Sequence, residues 1–298
     1  MNYLCKLVNG GKKAGITKML TSVIPKPNKT KISTKLGVSR SSLYYQSSKD
    51  QLDEQEKLII IEVMRDNPAY GHKRIAMHLH WGKNHVKRLM KKFNLKPARR
   101  RIQRAPKKPE DYHQQPASYY NFYKMYKELN QIDERGIFWR ADFTYIKVKG
   151  KFYYQATVLE VATREIVGYS LADHHDASLV IEALEDALSK NKAPLIFHSD
   201  QGSEYRSEKQ IKLCEENKII VSMSDKAKPG HNAHQESFFS HFKLEFGDFE
   251  RFDTLGELFA EISQMIYYYN YKRIHTALKM SPVAYREVLI NREKRQIV

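Results

Sequence analysis

Apolar and polar residues in the C-terminal half of the chain first alternate and then recur at helical spacing. The alternating or short apolar runs predict strands at 137–148, 152–161, 164–172, 194–199 and 218–223. The longer periodic stretches predict helices at 177–190, 207–217, 233–247 and 254–271. A short turn at Lys149-Gly150 joins the first two strands into a hairpin. This half of the chain is therefore predicted to form a mixed α/β domain.

The order of these elements is more informative than their number. Three consecutive strands come first, and helices then alternate with strands before two long helices end the pattern. That order is typical of an RNase H-like α/β layer fold. We therefore predict an RNase H-like core over residues 133–298.

The N-terminal half has helical periodicity interrupted by glycine and proline. Ile32 and Leu36 lie one turn apart, Gly37 permits a tight turn, and Ser39 is suited to cap a second short helix that carries Leu43. This pattern predicts a helix-turn-helix within residues 1–50, although an ordinary αα-hairpin has the same pattern. In the helix-turn-helix arrangement the residues facing the DNA major groove are Arg40, Ser41 and Tyr44.

A second small helical domain is predicted over residues 51–97. Its helices lie at 51–66, 72–80 and 84–94, and the first is expected to turn Leu58, Ile61 and Met64 inward. Basic residues follow the outside of this domain: Lys73, Arg74, Lys83, Lys87, Arg88, Lys91, Lys92 and Lys96. They indicate DNA binding, with a solvated basic surface as the alternative. Residues 98–132 follow as a basic, proline-containing linker.

The charge distribution supports a polyanion partner for the N-terminal third. The chain carries a net charge of +17, and residues 1–110 contain 26 Lys and Arg against 7 Asp and Glu. Residues 111–298 contain 25 against 27, so the positive excess is N-terminal. This asymmetry favours nucleic acid, with solubility as the alternative.

The cysteine count and the lack of long apolar runs argue against a disulfide-rich, membrane or secreted protein. Cys5 and Cys214 are the only cysteines, too few for a disulfide framework or a cysteine zinc site. No apolar run approaches the roughly 18–20 residues that a membrane helix needs, and the first 30 residues lack a signal-peptide core. We therefore expect a cytoplasmic protein with no membrane association.

Three carboxylates are the candidate chemistry. Asp142 lies within the first core strand, Asp200 ends the fourth, and Glu236 lies in the first of the long helices, which also carries Lys243. Oxygen ligands of this kind suit Mg²⁺, and two such ions can promote phosphodiester cleavage. Clustered carboxylates also repel one another unless cations offset their charge. For any single acid, surface solvation or helix capping is the alternative.

The motifs around these acids occur in a specific order. They read Trp139-Arg-Ala-Asp-Phe-Thr-Tyr-Ile, Arg164-Glu-Ile-Val-Gly-Tyr, His198-Ser-Asp-Gln-Gly-Ser-Glu-Tyr, Pro229-Gly-His-Asn-Ala-His-Gln-Glu-Ser-Phe-Phe, Lys243-Leu-Glu and Tyr269-Asn-Tyr-Lys-Arg-Ile-His. Between Asp200 and Glu236 lie 35 residues. With these motifs the chain resembles the DDE integrase/transposase superfamily, in particular the OrfB-type transposases of insertion-sequence family three, whose core is similar to that of retroviral integrases. The resemblance covers roughly residues 68–97 and 137–288.

The resemblance implies transposition of an insertion sequence: metal-dependent cleavage at the element ends, then strand transfer through the 3′ hydroxyl. Asp142, Asp200 and Glu236 would be the catalytic residues and the ligands of Mg²⁺ or Mn²⁺, with two ions expected. Lys243 would contact DNA near the site, and a late helix with Asn270, Arg273 and His275 is a further candidate DNA contact. Gln201 and Glu204 are expected to position DNA or water, or to cap a turn.

The resemblance implies three kinds of partner. The first is double-stranded DNA, both the terminal repeats of the element and the target. The others are further copies of the chain assembled on that DNA and an upstream protein to which the chain is fused by frameshifting. The expected location is the nucleoid of a bacterium. Departures from the family pattern occur at His231, Glu160, the segment around Trp81-Gly82 and the linker. Two alternatives remain at this stage: a non-catalytic DNA-binding regulator, and an RNase H-like nuclease without strand transfer.

Overall fold

The structure is a computed structural model that describes residues 28–43, 48–98, 119–129, 134–225 and 233–296. The chain divides into two compact units, residues 1–59 and 60–298. No helix in the described ranges is long and apolar enough to cross a membrane.

The described part of the first unit contains a short capped helix. Helix α1 (Lys29–Leu36) starts at Asn28, whose side chain accepts a hydrogen bond from the Lys31 N–H, and ends at Gly37 with φ of 59°. The tight glycine turn is therefore as predicted, because a left-handed backbone favours glycine. Within the described residues the expected second helix is a 3₁₀ turn at Arg40–Leu43, beside which the hydroxyls of Ser39 and Ser41 lie 2.8 Å apart. Tyr44 lies outside the described residues.

Three helices build the domain before the core: α2 (Ser48–Asp66), α3 (His72–His78) and α4 (Lys83–Lys92). The predicted inward face of α2 is wrong, because Leu58 is 65% and Ile61 is 40% exposed. The buried residues are Ile60 and Val63, and Met64 packs partly buried against their cluster. Four consecutive apolar residues, Leu58 to Ile61, fit either face of a helix, so the pattern could not select one.

The predicted linker at 98–132 contains an ordered helix. Helix α5 (Phe122–Glu128) buries Tyr123 against Phe138 and Ile196 of the core. Tyr119, Phe122, Tyr123 and Tyr126 therefore pack with the core rather than forming a spacer, whereas Tyr120 is exposed. The proline-rich part of the linker, 99–118, lies outside the described residues.

A five-stranded sheet with the order β3-β2-β1-β4-β5 forms the centre of the second unit. Its strands are β1 (Phe138–Val148), β2 (Lys151–Glu160), β3 (Ile166–Ala172), β4 (Ile196–Ser199) and β5 (Ile220–Met223). The first three are antiparallel neighbours, and β1, β4 and β5 are parallel. Lys149 and Gly150 close the first hairpin with φ of 46° and 82°. This topology confirms the predicted RNase H-like core.

Helices cover both faces of the sheet. They are α6 (Ala177–Lys190), α7 (Glu208–Glu216), α8 (Ala233–Phe246) and α9 (Leu255–Tyr267), and α10 (Pro282–Gln296) follows them in the chain. Trp139 and Ala141 of β1 pack with α6, whereas Ile146 and Val148 of the same strand pack with α8 and α9. Odd and even positions of β1 thus face different layers, as the period of a strand requires.

The end of the core differs from the predicted single helix at 254–271. After α9 a π-helical turn (Tyr268–Lys272) widens the backbone, and α10, which was not predicted, follows. The side chain of Asn270 accepts a hydrogen bond from the Ile166 N–H (3.0 Å) and donates one to the Ile166 carbonyl (2.9 Å). Asn270 therefore completes the edge of β3, which is a structural role.

Candidate active site

Asp142 of β1 and Asp200, which directly follows β4, lie at matching positions on neighbouring parallel segments. Arg140 of β1 lies opposite His198 of β4, and each aspartate lies two residues further along its own segment. Because side chains alternate along a strand, an offset of two residues directs both aspartates to the same face of the sheet. By the same alternation this is the face on which α8 packs. Two of the three predicted catalytic acids are thus brought together.

The loop after β4 packs closely around the carboxylate of Asp200. The Gly202 N–H donates to Oδ1 of Asp200 at 3.0 Å. A Cβ on Gly202 would lie 2.8 Å from Oε2 of Glu204 and 3.1 Å from Oδ1 of Asp200. Only glycine fits between the two carboxylates without displacing one of them. Glu204 is consequently a further acid beside Asp200, where the sequence indicated only a positioning or capping residue.

The electrostatic environment shows how closely the acids are grouped. Asp200 is exposed, yet the protein around its carboxylate removes water and raises its pKa; the Gly202 N–H opposes this effect and the charge of Glu204 adds to it. Tyr205 is fully buried, and its pKa lies well above the usual range because of burial and the charges of Asp142, Asp200 and Glu204. The phenol of Tyr205 therefore lies close enough to Asp142, Asp200 and Glu204 to be affected by the charge of each of them. A bound cation would relieve their mutual repulsion.

The first turn of α8 is fastened to the sheet at the level of Asp142. Gln235 donates from Nε2 to the carbonyls of Arg140 (2.8 Å) and Thr157 (3.2 Å), and it accepts from the Thr157 hydroxyl (3.3 Å). Thr157 is the register partner of Asp142 on β2. Glu236 follows Gln235 directly in α8, but its side chain is outside the described set, as are His231 and Asn232 before the helix.

The carboxylates offer the donor atoms that hard divalent cations prefer. Asp142 in β1 and Asp200 directly after β4 supply oxygen ligands, and Glu236 lies in the helix α8. Among the described side chains, which do not include Glu236, no group of three His, Cys, Asp or Glu is arranged to hold a metal ion. The donor set therefore fits a metal site only with Glu236 or with groups from the substrate as additional ligands.

Comparison with known proteins places the chain in a family. Residues 133–229 and 236–289 each match a family model described as an integrase core domain. InsK, the transposase assigned to insertion sequence IS150 of Escherichia coli K12, is 30% identical over 84% of this chain and 90% of its own length. A 31 kDa protein of insertion element IS600 from Shigella sonnei is 31% identical over 84% of this chain and 96% of its own length. This chain belongs to the DDE integrase/transposase superfamily.

Within that superfamily the chain is a member of the insertion-sequence family three transposases. The transposase InsF of insertion sequence IS3A from Escherichia coli K12 is 33% identical over 36% of this chain and 38% of its own length. The family predicted from the sequence motifs is thus confirmed. Asp142 and Asp200 lie within the first integrase-core match, and Glu236 is the first residue of the second.

The predicted DNA contacts of this transposase differ widely in exposure. Arg40, Ser41, Lys73 and Lys87 are exposed, and Arg88 is half-buried. Burial, Lys87, Lys73 and Lys83 together lower the pKa of His72. The three lysines are thus close enough to create a shared positive potential on α3 and α4.

Lys243 and two arginines have partners within the protein. Lys243 of α8 donates to the Tyr145 carbonyl at 2.9 Å and lies over the Tyr145 ring. Arg74 lies 3.7 Å from Glu245 and donates to the Thr276 hydroxyl, so it ties α3 to the core. Arg273 is 1% exposed, and its Nε lies 2.8 Å from both carboxylate oxygens of Glu245.

Proposed function

We propose that this transposase cleaves the ends of its insertion sequence and transfers the freed 3′ hydroxyls to target DNA at the site formed by Asp142, Asp200 and Glu236. The observation that carries the proposal is the matched position of Asp142 and Asp200 on paired parallel strands, with α8 fastened beside them by Gln235. Membership of the transposase family supports the same reaction.

Asp142, Asp200 and Glu236 would hold Mg²⁺ or Mn²⁺, two ions in this proposal. When bound, such ions activate the attacking oxygen and stabilise the charge on the leaving oxygen. The protein supplies the positioning: Asp142 lies in the central strand of the sheet, and the Gly202 N–H donates a hydrogen bond to one oxygen of Asp200. Water is the attacking group in cleavage and the DNA 3′ hydroxyl in transfer, so no covalent protein–DNA intermediate forms.

DNA would be bound mainly by the basic N-terminal third. The exposed Lys73, Lys83 and Lys87 on α3 and α4 support this part of the proposal, as does the charge excess over residues 1–110. The proposed domains are a helix-turn-helix at 1–50, a helical domain at 51–97, a linker at 98–132 whose helix α5 packs on the core, and the core at 133–298. Assembly of several copies on DNA and an upstream frameshift partner complete the proposed functional unit.

The substitution Asp200→Asn tests the catalytic assignment. We expect loss of both cleavage and strand transfer with Mg²⁺ and with Mn²⁺, because the amide removes an anionic ligand with little change in shape. Affinity for the element ends should be kept, since the DNA contacts lie elsewhere. Cleavage of labelled ends and a mobility-shift titration on the same DNA measure the two effects.

A matched control is Asp176→Asn. Asp176 caps α6 through Ser178, and asparagine caps helices equally well, so this variant should cleave normally. Near-wild-type cleavage by Asp200→Asn would show that Asp200 only stabilises its turn.

A second assay distinguishes a transposase from a nuclease. DNA ends that have already been cleaved are added together with target DNA. A transposase joins these ends to the target, whereas a nuclease does not.

A further inference from the structure

A positively charged pocket lies between α8, the π-helical turn and the segment after β2. Its volume is about 180 Å³, far more than one water molecule occupies. The polar side chains that line it are Arg164, Ser237, His241, Tyr269, Arg273 and His275. The proposed reaction uses none of these residues, although Ser237 and His241 lie on the helix that also carries Glu236.

Two of the residues that line the pocket carry a buried nitrogen atom that lacks a hydrogen-bond partner in the described part of the chain. Nη2 of Arg273 and Nδ1 of His275 are shielded from solvent and make no hydrogen bond. The Nε of Arg273 is already occupied by Glu245, so this guanidinium is held rigidly with one edge unsatisfied. A buried donor without an acceptor is costly, and such groups are rare in native proteins. A ligand with acceptor oxygens would satisfy both atoms.

The charge around the pocket favours an anion. Arg74 and Arg273 share one carboxylate, that of Glu245, and Arg164 adds a third cation at the pocket wall. Burial lowers the pKa of His241 to about 4, and the charges of Arg273 and Arg74 contribute to this shift. The pKa of His275 is also lowered to about 4, by burial and by Arg273, Arg164, Arg74 and His241. Positive potential in this region is therefore only partly compensated.

We infer that this pocket binds a phosphate group, with Arg273 and His275 as hydrogen-bond donors and Arg164 as an additional positive charge. An arginine edge facing several oxygens is the geometry that suits phosphate. In a transposase the phosphate would come from a DNA backbone, a source that rests on the proposed function. Binding of free inorganic phosphate does not rest on it.

The sharpest test introduces a carboxylate at the pocket, where it would compete with phosphate for the cations, and leaves the buried arginines in place. Ala277 is exposed and lines the pocket, so Ala277→Glu would place a carboxylate beside the cations, and Ala277→Gln is its uncharged control of equal size. Inorganic phosphate is titrated by calorimetry into the full chain without divalent metal. We expect saturable binding to the wild type and to Ala277→Gln, and about tenfold weaker binding to Ala277→Glu.

A second arm uses duplex DNA of the element ends under the same metal-free conditions. Weaker DNA binding by Ala277→Glu than by Ala277→Gln supports a backbone phosphate as the ligand. Equal DNA binding, with phosphate binding lost in Ala277→Glu alone, supports a free phosphate. Two results would overturn the inference. In the first, both variants bind phosphate and DNA as tightly as the wild type does. In the second, the wild type binds no phosphate and the two variants bind DNA with equal affinity.

A spectroscopic measurement on the unmodified chain guards against a variant that fails to fold. With ¹⁵N-labelled histidine, phosphate should shift the ring signals of His275 and His241, assigned through His275→Gln and His241→Gln. Unchanged signals at saturating phosphate would contradict the inference. Failure of these tests would leave the role of Asp142, Asp200 and Glu236 unaffected, because no metal or cleavage is involved.

Discussion

At the scale of single residues, the main feature of the site is the close spacing of the carboxylates of Asp200 and Glu204. Gly202 separates Asp200 from Glu204, and both acids are within electrostatic range of the buried Tyr205. The motifs in the sequence identified Asp142, Asp200 and Glu236. For Glu204 the sequence indicated only a positioning or capping role, because a loop contact between residues four apart has no periodicity that would predict a further acid beside Asp200.

The substitution Gly202→Ala should impair activity while leaving the fold intact. Its methyl group would displace the carboxylate of Asp200 or of Glu204, and a shift of about 1 Å at a catalytic group can cost on the order of 100-fold in rate. Cleavage rate and thermal unfolding are measured together. Gly71→Ala is the matched control, since a Cβ there meets nothing within 4 Å. Equal activity of the two variants would show that the spacing is not critical.

At the scale of elements, strong periodicity made the strands and most helices predictable. The β1–β2 hairpin follows from alternation and a Lys149-Gly150 turn, and the Phe239, Phe242 and Phe246 stripe of α8 is buried as its spacing indicates. The buried face of α2 was mispredicted because its apolar residues are consecutive. The π-helical turn was missed because an extra residue in one turn depends on tertiary contacts such as those of Asn270 with Ile166.

The attachment of α8 to the sheet should be as important as the acids themselves. Gln235→Met keeps the volume but leaves the hydroxyl of Thr157 and the carbonyls of Arg140 and Thr157 without this partner. We expect about 1–3 kcal/mol lower stability to unfolding and a larger loss of cleavage than of DNA affinity. Denaturant unfolding and cleavage assays check this, with the exposed Gln264→Met on α9 as control. Wild-type cleavage by Gln235→Met would contradict the positioning role.

At the scale of the whole molecule, charge and chemistry are separated along the chain. The basic excess lies in residues 1–110, whereas both integrase-core matches lie after residue 132. The sequence could reveal this division because charge is read directly from composition. It could not reveal that Arg74 and Arg273 turn inward to share Glu245, since burial depends on how α3 meets the core.

This separation predicts a change in the salt dependence of DNA binding. Replacing Lys73, Lys83 and Lys87 with glutamine should reduce the slope of log affinity against log salt by up to about 2.7, because each DNA phosphate that a lysine neutralises contributes about 0.9. The matched control replaces three exposed core lysines, Lys209, Lys212 and Lys218. Mobility-shift titrations over a range of salt concentrations give the slopes. Equal slopes for the two triple variants would place DNA binding elsewhere.

The most direct test of the central claim is a change of metal preference at Asp200. In Asp200→Cys a soft sulfur replaces a hard oxygen, so a cation held by this residue should change with it. We expect cleavage by the variant to be lost with Mg²⁺ and partly restored with Mn²⁺ or Cd²⁺, while Asp176→Cys keeps wild-type activity with Mg²⁺. Activity of Asp200→Cys with Mg²⁺ at the wild-type level would contradict metal binding by Asp200.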